Sequence, residues 1–179
     1  MHKRSFPLIA GVIFLLALES SLSVADEIWF PSRVTNGSFE EWQEPYVPVG
    51  WWLSGWASCS PADPFLGKYS VVVANGQPWD GYLYQDIPYR TGTLLFGGAH
   101  RTTGWEPNEI ILSFLDASMQ EISNQRWLSE DSRWQFILTT LQPPDGTCTI
   151  RIKLRPFEDG LADLFVDHMF MIPVPGGGM

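Results

Sequence analysis

The stretch Thr149-Ile150-Arg151-Ile152-Lys153-Leu154-Arg155 sets the fold class. In an extended chain Ile150, Ile152 and Leu154 fall on one side, and Arg151, Lys153 and Arg155 on the other. A helix would mix the two sets on one surface, whereas a half-buried strand separates them. The stretch is entered through Pro143-Pro144-Asp145-Gly146, where proline presets the backbone and glycine accepts the turn.

The same period of two recurs outward along the chain. It predicts strands at 69–74, 82–87, 93–100, 109–116, 134–141 and 164–172, with weaker segments at 50–57 and near 38–42. One helical stretch, 119–127, is conceivable, but it lacks caps. The 14 prolines and 16 glycines cut the rest into short pieces. About nine short strands with brief connections describe an all-β antiparallel sandwich or jelly roll.

Composition narrows the function classes. A chain of 179 residues fits one domain, or at most two small ones, and 45% hydrophobic residues with 14% aromatics exclude an acidic disordered tail. A net charge of −9 argues against a nucleic-acid partner, which needs a basic footprint. All nine tryptophans fall between Trp29 and Trp134. Tryptophan either fills a core or offers a flat ring to a ligand, so each must be assigned to one role.

The ends are separate from this body. His2-Lys3-Arg4 is basic, Pro7 to Leu18 is apolar, and Ser23-Val24-Ala25 places small residues before Asp26. Residues 1–25 therefore read as a secretory signal peptide, with an apolar run too short to span a bilayer. The protein is expected to be secreted, extracellular or periplasmic, with no membrane insertion after cleavage. Residues 26–172 form the sandwich, and 173–179 a Pro/Gly-rich tail. Oligomeric state is not legible. Export permits a disulfide between Cys59 and Cys148, although two separate thiols fit the sequence equally well. Asn36-Gly37-Ser38 fits a glycosylation sequon.

Four groups of segments carry a resemblance. They are Val34 to Trp42 followed by Pro48, Gly50 and Trp51; Gly67-Lys68-Tyr69-Ser70-Val71-Val72-Val73; Leu83-Tyr84-Gln85-Asp86-Ile87 with Gly92-Thr93-Leu94-Leu95-Phe96; and Trp134, Pro143 to Thr147, and Leu164-Phe165-Val166-Asp167. In this order the chain resembles the galactose-binding-like jelly rolls, including the carbohydrate-binding modules attached to xylanases and glucanases. The resemblance covers Val34 to Ile172. It implies a structural calcium between the N-terminal strand and the last one, with Glu40, Asp167 and carbonyls near Gly37 and Lys68 as ligands. His168 departs from the pattern, because a second acidic residue is common there.

A sugar presents C–H patches to a ring and hydroxyls to planar polar groups. Trp79 and Asp80 lie in a polar turn, and Tyr82, Tyr84 and Asp86 share one face of the next strand. Leu83, Gln85 and Ile87 face the core, with Gln85 as a buried hydrogen-bonding residue. His100 and Arg101 end the following strand, and Trp105 sits in the loop after it. These eight residues, Trp79, Asp80, Tyr82, Tyr84, Asp86, His100, Arg101 and Trp105, form the candidate binding surface. Trp51 and Trp52 point to opposite faces, so at least one is core. Trp42, Trp56, Trp127 and Trp134 read as packing. The Arg151/Lys153/Arg155 stripe reads as a solvated face, with pairing to an anionic sugar as the other option.

No constellation supports catalysis. Adjacent Glu40 and Glu41 diverge on a strand and cannot act as a glycosidase pair. No nucleophile elbow, phosphate loop or zinc spacing is present. The chain is therefore read as a non-enzymatic module that binds a polysaccharide or oligosaccharide. The alternative is a structural or adhesive extracellular domain with a protein or matrix partner and no sugar affinity.

Overall fold

The computed structural model describes residues 32–43, 47–55, 57–75, 81–104, 107–156 and 162–174. Among them every regular element is a strand. In chain order these are β1 (Trp42–Gln43), β2 (Val47–Pro48), β3 (Trp52–Ser54), β4 (Ala57–Ala62), β5 (Ser70–Asn75) and β6 (Tyr82–Pro88). There follow β7 (Leu94–Thr102), β8 (Asn108–Leu115), β9 (Glu121–Ser129), β10 (Gln135–Leu141), β11 (Thr149–Arg155) and β12 (Leu164–Pro173). Twelve strands replace the expected nine: the N-terminal part holds four short pieces, β1 to β4, where two were expected, and β9 stands where a helix was conceivable.

The strands form a first sheet, ordered β10-β7-β12-β5-β4, a second sheet, ordered β3-β6-β11-β8-β9, and a two-stranded ribbon of β1 and β2. All pairings are antiparallel. β11 is central in the second sheet, between β6 and β8, with Ile152 opposite both Gln85 and Leu112. Ile150, Ile152 and Leu154 are fully buried, as the alternation requires. Each such side chain contributes about 1.5–3 kcal/mol by leaving water. They meet Val71, Val73, Phe96, Leu141 and Val166 from the first sheet in one core cluster.

Two features bear on the sequence reading. The stretch proposed as helical is instead β9, the partner of β8 at the sheet edge. Asp116 turns the chain between them, its Oδ1 accepting the N–H of Ser118 at 2.8 Å and of Gln120 at 2.9 Å. β9 is mostly exposed, so no buried face imposes a clear period on it. The other concerns the two cysteines, left open as bridged or separate: Cys59 lies on β4 of the first sheet and Cys148 just before β11 of the second. Burial pushes the Cys59 thiol up to about 11.

β12 holds a bulge between Asp167 and Phe170, with His168 at φ 51°. Before it Leu164 and Val166 point inward; after it Met169 and Met171 do. One extra residue thus switches which parity faces the core.

Gln85 fastens the N-terminal segment to the second sheet. Its Oε1 accepts the Thr35 N–H at 2.8 Å, and its Nε2 donates to the carbonyls of Thr35 at 3.0 Å and Gly50 at 2.8 Å. The Trp51 indole donates to the same Thr35 carbonyl at 3.1 Å. Gly50 must be glycine here: its φ is +81°, and a Cβ would lie 2.8 Å from the Thr35 side chain. Replacing Gln85 by Leu keeps the volume but strips the Thr35 amide and Gly50 carbonyl of their partners. A loss of about 2–4 kcal/mol is expected, read as a lower urea midpoint at unchanged slope.

Candidate functional site

The outward face of the second sheet is built by the same alternation that builds the core. On β6 it turns out Tyr82, Tyr84 and Asp86, all half-buried, while Leu83, Gln85 and Ile87 go in. β3 lies beside β6 with Trp52 opposite Tyr84. Trp51 is core, 5.2 Å ring to ring from Phe39, so its neighbour Trp52 must face outward and is 52% exposed. The Trp52 and Tyr84 rings are 6.0 Å apart, and Tyr82 and Tyr84 are 5.7 Å apart. Three rings thus form a strip at one side of this face.

The basic stripe of β11 borders the strip. Arg151 makes a two-point bond to Asp86, Nε to Oδ1 at 2.6 Å and Nη2 to Oδ2 at 2.7 Å. Its guanidinium also lies 4.6 Å over the Tyr84 ring. Lys153 sits 5.6 Å from the Tyr82 ring and 3.5 Å from Glu121 Oε2. Glu109 receives Arg155 at 2.9 Å and Arg126 at 3.3 Å. Each cation is held by a carboxylate, so the face presents fixed planar donors and acceptors beside flat rings. Such a surface can stack the C–H face of a ring-shaped ligand and hydrogen-bond its hydroxyls.

The structure brings together only part of the sequence-predicted surface. Tyr82, Tyr84 and Asp86 share the face. Trp79, Asp80 and Trp105 lie outside the described residues. His100 and Arg101 do not join it, because β7 belongs to the first sheet. Arg101 instead lies on the outer face of that sheet, 4.1 Å over Phe165 and 5.2 Å over Trp134. Phe65 and Phe136 extend that cluster. His100 points into the interior, 4% exposed. Trp42 and Trp127 pack against the core, as expected; Trp56 lies outside the described residues. The reading missed Trp52 and the pairing role of Arg151. Trp52 was accessible through parity, once Trp51 is placed in the core. The Asp86–Arg151 pair was not, since it depends on which strands are neighbours.

Gly37, Glu40, Lys68 and Asp167 do meet at one corner. Glu40 Oε1 accepts the N–H of Lys68 at 2.7 Å and of Tyr69 at 3.2 Å. Asp167 is fully buried; its Oδ2 accepts the N–H of Phe65 at 2.9 Å and of Leu66 at 3.1 Å. Its Oδ1 accepts the His168 N–H at 2.8 Å and lies 2.9 Å from His168 Nδ1. The Gly37 carbonyl accepts the Met169 N–H at 2.8 Å. A carboxylate offers about four lone-pair sites; three backbone N–H groups occupy those of Asp167 and the His168 ring nitrogen lies against the fourth. Calcium needs six to eight oxygens turned toward it. Hydrogens already point at Glu40 Oε1, at both oxygens of Asp167 and at the Gly37 carbonyl, which leaves fewer oxygens turned toward an ion than calcium takes.

No protein-family model matches the chain, and comparison with curated sequences finds no match. Solved structures do match. The CBM22-1 xylan-binding domain of Xyn10C from Paenibacillus barcinonensis superposes with a TM-score of 0.58 at 13% identity, covering 77% of this chain and 92% of that one. This is the β-sandwich of carbohydrate-binding modules. TmCBM61, solved with β-1,4-galactotriose, gives a TM-score of 0.55 at 15% identity over 80% of this chain and 99% of that one. The enzymatically active domain of tailspike protein 4 of Bacteriophage CBA120 gives 0.64 at 13% identity over 80% of this chain. The chain spans about a fifth of that active domain's solved chain, 21% of its length.

His100 leaves a measurable trace. Its Nδ1 has no hydrogen-bond partner among the described residues, and burial pushes its pKa down to about 4. Between pH 6.5 and 4 the unfolded chain takes up a proton that the folded chain refuses. Stability is therefore kept above pH 6.5 and lost as pH falls toward 4, by about 3 kcal/mol in full. Thermal unfolding of His100→Asn beside wild type checks this: the wild-type advantage should shrink across that window and stay flat above it.

Proposed function

We propose that this chain is a secreted, non-catalytic module that binds a carbohydrate on the open face of its second sheet. Trp52, Tyr84 and Tyr82 stack on the sugar rings, and the Asp86–Arg151 pair orients the hydroxyls. The observation that carries this reading is the ring strip with a fixed ion pair beside it: Trp52 is 52% exposed and Arg151 lies 4.6 Å over Tyr84. The fold shared with carbohydrate-binding modules supports it. Residues 1–25 direct export, and Trp79, Asp80 and Trp105 are candidates to extend the surface. The reading needs no cation at the Glu40–Asp167 corner.

A second reading is a structural or adhesive module with a protein or matrix partner. What favours it is the apolar outer face of the first sheet, where Phe136 is 43% and Leu138 54% exposed.

Electrophoresis through gels containing soluble β-linked polysaccharides separates the two. Wild type should be retarded by at least one. Trp52→Ala and Tyr84→Ala should each weaken binding about tenfold or more, equivalent to about 1.4 kcal/mol. No retardation by any polysaccharide, or retardation untouched by both substitutions, contradicts the sugar reading.

A further inference from the structure

We infer that the corner joining the N-terminal segment to the last strand is a metal-free carboxylate clasp, which does here what a bound calcium would do. Three segments far apart in sequence meet there: 36–40, the loop at 63–69, and the bulge of β12. Asp167 reaches Phe65 and Leu66 across 102 and 101 residues of chain, and Glu40 reaches Lys68 across 28.

Three observations support the inference. The first is that both oxygens of Asp167 already accept hydrogen bonds. The backbone N–H groups of Phe65, Leu66 and His168 donate to it, and the His168 ring nitrogen lies against the same carboxylate. Charge-assisted N–H bonds of this kind compensate a buried carboxylate without a cation.

The second is His168 itself. Beside Asp167 a calcium site gains from another oxygen. This position instead supplies an imidazole 2.9 Å from Asp167 Oδ1. In the tautomer that carries its hydrogen on Nδ1, the ring brings a hydrogen to the corner, not a lone pair.

The third is how closely the parts touch. A Cβ on Gly67 would stand 2.2 Å from Glu40 Oε1, and one on Gly37 would stand 1.9 Å from the Met169 carbonyl. The carboxylate and the bulge lie directly on bare backbone. Strain gathers at the same place: of the four non-glycine residues with positive φ among the described residues, Asn36 (47°), Phe39 (56°) and His168 (51°) belong to this corner. Strained backbone persists where surrounding bonds over-determine it. Asn36 adds such bonds, donating to the Glu41 carbonyl at 2.7 Å and accepting the Glu41 N–H at 3.1 Å.

The test is thermal unfolding of the full chain in EDTA and in millimolar calcium, with the calcium content of dialysed protein measured in parallel. The expected result is one melting temperature in both buffers and far less than one calcium per chain. Glu40→Gln should lower the melting temperature by several degrees, equally in both buffers, because it weakens an acceptor and not a metal ligand. Melting that rises by several degrees with calcium and reverts with EDTA overturns the inference. So does stoichiometric calcium in the dialysed protein, or a calcium response that Glu40→Gln abolishes.

Discussion

The strict alternation along β11, clamped between β6 and β8, is the constraint on which the rest of the molecule depends. Ile150, Ile152 and Leu154 close the interior. The intervening Arg151, Lys153 and Arg155 are thereby forced onto the opposite surface, where Asp86, Glu121 and Glu109 meet them. A slip of one residue would bury three cations and expose three aliphatic side chains. Core and candidate site are therefore two sides of one register. The same register carries over to β6, where Gln85 holds the N-terminal segment from inside while Tyr84 stacks outside.

Most of the fold was legible in the sequence, because one buried face imposes a period of two wherever a strand is half covered. Thr149–Arg155 has the same limits in sequence and structure. Legibility failed where that imposition lapses. β9 is an exposed edge, so its side chains carry no alternation to read. In β12 the bulge at His168 shifts inward parity from Leu164 and Val166 to Met169 and Met171. The strand itself was expected across that point; the change of inward parity within it was not.

The candidate site was half legible for the same reason. Tyr82, Tyr84 and Asp86 follow from one strand's parity and share a face. His100 and Arg101 were grouped with them on nearness in sequence, but β6 and β7 belong to different sheets. Connectivity in a sandwich carries consecutive strands across the interior, so chain order is a poor guide to surface neighbours. Trp52 enters by the converse route, through strand pairing with Tyr84. The Glu40–Asp167 corner teaches a related lesson. The residues expected to gather there do gather, but their hydrogen-bond partners decide what they do.

The most direct measurement of the central claim is chemical-shift mapping by NMR, with an oligosaccharide chosen from whichever polysaccharide retards the protein. Amide and indole shifts should concentrate on Trp52, on Tyr82 to Asp86 and on Arg151 to Arg155, leaving Phe65, Trp134 and Phe136 still. Shifts centred on that second aromatic cluster, or scattered without relation to β3, β6 and β11, would contradict the placement of the site.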